Sequence, residues 1–148
     1  MSLMKRGLVA FAGLAILSAP AIAKESTNVA IDNWLGPKSH EAYQILFRRL
    51  QAAVVNHDEQ EVANLVQYPL NVTVDDHILI LKNRGDFVAH YEKVISPKIV
   101  AAVKTQRYGA LAVSHQGVFF DHHEIGIGPV CEEHGCRFSV PRVIDINP

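Results

Sequence analysis

Helical and strand periodicities occupy separate stretches of this chain, and that separation most limits its fold. Tyr43, Leu46, Phe47, Leu50, Ala53 and Val54 recur at three- and four-residue spacing with Arg48, Arg49 and Gln51 between them. This predicts an amphipathic helix opened by Ser39 as N-cap, with Glu41 in its first turn. Asn56-His57 interrupts it, and Asp58 with Glu61 predicts a capped second helix whose buried stripe is Val62, Leu65 and Val66. Pro69 ends that helix, because it pushes Tyr68 out of the helical region. Leu70, Val72 and Val74 alternate with polar neighbours, Asp75-Asp76 turns the chain, and 78–81 returns as the second arm of a hairpin. Asn83 caps a third helix with Phe87, Val88, Tyr91, Val94 and Ile95 on its apolar face. Ser96-Pro97 opens a fourth, buried through Ile99, Val100 and Val103. Residues 110–114, 117–120, 124–127 and 138–146 then read as strands, with a tight turn at Gln116-Gly117. Helices grouped apart from strands indicate α+β, helices packed on an antiparallel sheet. One domain, 39–148, is expected after a polar, aperiodic arm, 24–38, that either docks through Trp34 and Leu35 or stays free.

The first 23 residues read as an address rather than as fold. Lys5 and Arg6 form a basic start, Gly7 to Leu17 an apolar run, and Ala21-Ile22-Ala23 a small-x-small cleavage site. The run is shorter than the roughly 20 residues a bilayer span needs. The expectation is a cleaved signal peptide, 1–23, and a periplasmic or secreted protein without a membrane anchor. Of the 14 Lys and Arg residues two lie in this leader, so against 15 acids the rest carries a net charge of about −3. That balance lacks the basic footprint of a nucleic-acid binder. In an oxidising compartment Cys131 and Cys136 are expected to pair, closing a small loop.

Several stretches resemble the nuclear transport factor 2-like superfamily across roughly residues 39–147. Val62-Ala63-Asn64-Leu65-Val66-Gln67-Tyr68-Pro69-Leu70 is similar to the helix-to-strand entry of its small exported members. Asp86-Phe87-Val88-Ala89-His90-Tyr91 resembles their third helix. Gln116-Gly117-Val118 with Glu124-Ile125-Gly126-Ile127 resembles their central hairpin, and Val143-Ile144-Asp145-Ile146-Asn147 their closing strand. The resemblance implies a curved sheet wrapped over helices as a cone whose open end can be a pocket. It is nearly silent on activity, since such folds host isomerases, dehydratases and non-catalytic modules. Tyr43, Phe47, Phe87, Tyr91, Phe119 and Phe138 are the candidates to line that cone; the alternative is that they fill the core. The resemblance also allows a homodimer through the exposed sheet face.

The densest polar cluster is Asp121-His122-His123-Glu124. On a strand, Asp121 and His123 would share one face and His122 and Glu124 the other, and either pair could form a carboxylate–imidazole base. In a hairpin turn the same residues would simply be solvated. His122, His123, Cys131, His134 and Cys136 do not match paired zinc-ligand spacing, and oxidation removes both thiolates. No metal and no cofactor is therefore expected. His40, His57, His77 and His115 fit capping, turn or surface roles, and His90, beside Tyr91, is the one placed to face the cone. No nucleophile elbow and no phosphate loop is present. The leading expectation is a small exported, non-enzymatic binding or accessory protein for an apolar small molecule or a protein partner. Its rivals are a pocket isomerase or dehydratase with an Asp/Glu–His base, and a secreted inhibitor or immunity-type protein.

Overall fold

The computed structural model describes residues 26–148; the expected leader, 1–23, lies outside them. Where an aperiodic arm was expected, the chain forms helix α1 (Thr27–Leu35), capped by Ser26, whose hydroxyl accepts the Val29 N–H. Docking depends on few positions, and so leaves little periodic trace. Ile31 and Thr27 are buried, whereas Trp34 is 58% exposed. The Asp32 carboxylate completes the attachment: it accepts the backbone N–H of His40 at 3.0 Å and lies 2.7 Å from His40 Nδ1.

Helix α2 (Ser39–Val55) buries all six residues of the expected stripe. Lys38, in a left-handed conformation, takes the N-cap position expected for Ser39, and the Ser39 hydroxyl donates to the Leu35 carbonyl instead. Helix α3 (Glu59–Leu65) starts as its sequence dictates, with Asp58 accepting the Glu61 N–H. Such a cap stabilises a helix by about 1 kcal/mol. Strands β1 (Leu70–Val74) and β2 (His77–Leu81) form a two-stranded antiparallel sheet. Asp75 and Asp76, at φ 49° and 60°, supply the left-handed turn that a two-residue hairpin needs. The expected third helix is two: α4 (Arg84–Ala89), capped by Asn83, and α5 (Tyr91–Val94), with the break at His90. Helix α6 (Pro97–Thr105) has Ser96 as cap and proline in its first turn.

Strands β3 (Ala112–Ser114), β4 (Gly117–Phe119), β5 (Ile125–Cys131) and β6 (Ser139–Ile146) make an open antiparallel sheet in sequential order. Strand β5 runs four residues beyond the expected 124–127, because Gly126, Gly128 and Pro129 disguise its alternation. Gly117, at φ +142°, starts β4 against the backbone of Ile127, where a Cβ would collide with the Ile127 carbonyl. This contact helps fix the register Val118↔Ile127. The Gln67 N–H donates to the Val143 carbonyl at 2.8 Å, and Arg142 Nη1 donates to the Asn64 carbonyl at 2.9 Å, tying the exit of α3 to β6. Leu50, Val62, Leu81, Phe87, Ile99, Phe120, Ile125, Ile127 and Val143 are buried in the core shared by helices and strands. The architecture is thus α+β with open antiparallel sheets. Among the described residues no helix is long and apolar enough to cross a membrane.

Candidate functional site

Asp121-His122-His123-Glu124 forms the connection between β4 and β5, not part of a strand, so the alternation of faces does not apply. Asp121, His122 and His123 are exposed and Glu124 is buried. Glu124 turns back on its own loop: Oε2 accepts the His122 N–H at 3.2 Å, and Oε1 lies 3.4 Å from His122 Nδ1. The Asp121 N–H donates to Gln106 Oε1 at 3.2 Å. Asn147 closes the loop, donating its N–H to the Glu124 carbonyl at 2.9 Å and its side-chain amide to the His123 carbonyl at 2.7 Å. These bonds give the buried carboxylate a part in shaping the turn.

The six aromatic candidates separate. Tyr43, Phe47, Phe87 and Tyr91 belong to the buried core, Phe119 is half-buried against His123, and Phe138 is 75% exposed. Phe47 packs with Tyr108 and Phe120 at ring separations of 5.6 and 5.9 Å; Phe87 packs with Tyr91 and Tyr68 at 6.1 and 6.4 Å. Phe138 follows the Cys131–Cys136 disulfide, which closes the exposed end of the β5–β6 ribbon. His90, at the break between α4 and α5, has its Nδ1 2.9 Å from the Asp86 carbonyl.

Open grooves on the surface are the alternative to an interior pocket. One of about 430 Å³ runs along α5 and α6, with Ile95, Pro97, Val100 and Ala101 as its apolar bed and His57, Glu92 and Lys104 as polar residues along it. Another, of about 360 Å³, lies between α2 and β6 and includes Ile45, Leu65, Val140, Pro141 and Arg142. Exposed Ile78 and Ile80 lie on β2, where a smaller groove of about 270 Å³ includes Ile78 and His90.

The α5–α6 groove adjoins a group of three ionisable side chains. His57 sits in the α2–α3 turn at φ +58°, a left-handed conformation that projects from the chain reversal. Its Nε2 lies 3.0 Å from Glu92 Oε1 and 3.6 Å from Glu59 Oε1. Beneath it is Tyr91, at a ring separation of 5.2 Å and edge-on. The Tyr91 side chain is 2% exposed, and its hydroxyl is buried without a hydrogen-bond partner. Burial, then the negative charges of Glu59, Glu92 and Asp58, push its ionisation up to about 12. The Tyr43 hydroxyl is also buried and unpartnered, and burial alone pushes it up to about 12.

In the sequence His57 reads as part of a helix break, and neither Glu59 nor Glu92 stands out. The local signal was present in Asp58 as a cap, which fixes the turn carrying His57 and Glu59. Nothing linear connects that turn to Glu92 on α5. No protein-family model, no characterised protein and no solved structure matches this chain.

Proposed function

We propose that the chain is an exported, non-enzymatic binding protein, a small member of the nuclear transport factor 2-like superfamily, that takes its ligand on the surface. The observation that carries this reading is the α5–α6 groove: an apolar bed beside charged groups, over a core already filled by the aromatic side chains. That combination suits a small amphipathic molecule, with its apolar body on Val100 and Ala101 and an anionic end toward Lys104. The catalytic rival needs a carboxylate and an imidazole converging in an enclosed cavity. Glu124 instead accepts a backbone N–H of its own turn, beside three exposed neighbours.

An anionic fluorescent amphiphile, anilinonaphthalene sulfonate, tests the groove. The folded chain is expected to enhance its emission saturably, and Ala101→Trp, at an exposed position, to abolish that enhancement without changing the thermal midpoint. Enhancement unaltered by Ala101→Trp would refute the assignment.

A second reading, an exported inhibitor, draws support from the β5–β6 tip, where the disulfide and exposed Phe138 make a closed, protruding end. Homodimerisation has its own support in Ile78 and Ile80, exposed on β2. Light scattering of the wild type beside Ile78→Lys decides whether that face joins two copies.

A further inference from the structure

We propose that His57, Glu59 and Glu92 form a zinc site at the edge of the α5–α6 groove. One donor atom from each side chain lies within 4.8 Å of the others, and the closest pair, His57 Nε2 and Glu92 Oε1, is 3.0 Å apart. Bonds of about 2.0–2.2 Å place the donors of a tetrahedral zinc roughly 3.4 Å apart, so exposed side chains need only small adjustments to close on the ion. One imidazole nitrogen with two carboxylate oxygens favours zinc over calcium or magnesium, which prefer all-oxygen shells. The three donors leave a fourth position for water or for the polar end of a groove ligand.

A second observation points the same way. Tyr91 is buried edge-on against the His57 ring, and its hydroxyl has no hydrogen-bond partner. Burying a hydroxyl unpaired is costly. A carboxylate drawn in to bind a metal, or a metal-bound water, supplies the missing acceptor. Tyr91 is then a positioning residue, comparable to the outer partners that orient metal ligands elsewhere. The backbone contributes too: the left-handed turn at His57, capped by Asp58, keeps imidazole and Glu59 on the side facing α5.

Calorimetric titration of the full exported chain with zinc chloride tests this. One ion per chain is expected. Glu92→Gln and His57→Asn should each weaken binding at least tenfold; asparagine is chosen because it tolerates left-handed backbone. Tyr91→Phe should weaken binding about tenfold while the protein stays folded, whereas Tyr43→Phe and His122→Ala leave the isotherm unchanged. Absence of saturable heat in the wild type, or wild-type affinity in His57→Asn, overturns the proposal. The site shares His57 and Glu92 with the groove but does not depend on what the groove holds. Ala101→Trp should preserve the zinc isotherm even as it blocks the amphiphile, so the two readings fail separately.

Discussion

Two histidine–carboxylate groups in this protein look alike in composition and differ in what surrounds them. In the β4–β5 turn, His122 and Glu124 are two residues apart, and the carboxylate is buried while the imidazole side chain is 86% exposed. That carboxylate accepts a backbone N–H, and Asn147 and Gln106 hold the rest of the turn. At the α2–α3 turn, His57 and Glu59 meet Glu92 from α5, and the three donors remain accessible beside Tyr91, whose buried hydroxyl has no partner. Sequence proximity favoured the first group. Unspent bonding capacity favours the second. A cluster contiguous in sequence is often a turn in the making, because a chain reversal needs short polar side chains for its backbone groups.

The comparison implies that the two sites share similar foundations and differ only above them. Phe120 precedes one turn and Phe87 packs against Tyr91 beneath the other, and both are fully buried. Phe120→Ala and Phe87→Ala should each cost about 3–5 kcal/mol by urea denaturation. A markedly smaller loss for either would show that its site rests on a looser base.

The carboxylates themselves should then part company. Glu124→Ala should cost about 1–2 kcal/mol, because a partly buried N–H loses its acceptor. Glu92→Ala, on the surface, should stay within about 0.5 kcal/mol in metal-free buffer. Equal losses would mean that the two carboxylates are equally embedded.

Tyr91→Phe should raise metal-free stability by about 1 kcal/mol by removing an unpaired buried hydroxyl, and Tyr43→Phe should do the same. Both phenols ionise near 12 in the folded protein against an ordinary 10.0. Stability is therefore unaffected by their ionisation below pH 10, and burial of the phenolates costs progressively more as pH rises from there through about 12. Alkaline unfolding followed by tyrosinate absorbance should be delayed in either phenylalanine variant.

The Asp32–His40 pair is a third version, used for docking. The His40 backbone N–H is the largest cause holding Asp32 below its ordinary 3.8. The resulting stabilisation is present above that value and is lost as pH falls through the lower folded one. Amide exchange in α1 should accelerate on acidification, and Asp32→Asn should remove that pH dependence.

Much of the fold was legible because caps and turns declare themselves locally. Asp58, Asn83 and Ser96 start helices where expected, and Asp75-Asp76 reverses the hairpin. Helix α1 was not legible, since Ile31 and a side-chain bond across the Gly36-Pro37 break give no repeating pattern. The length of β5 was hidden by glycines whose missing side chains are replaced in space by Phe119 and Ile144. The candidate site was half visible. Asp58 marked the turn, but the approach of Glu92 depends on the break at His90, which a continuous apolar face from Phe87 to Ile95 conceals.

The bridged ribbon end has a consequence of its own. Residues 131–139 are all exposed, and none belongs to the buried core. Cleaving the Cys131–Cys136 bridge would therefore relax a fingertip and leave the hand intact.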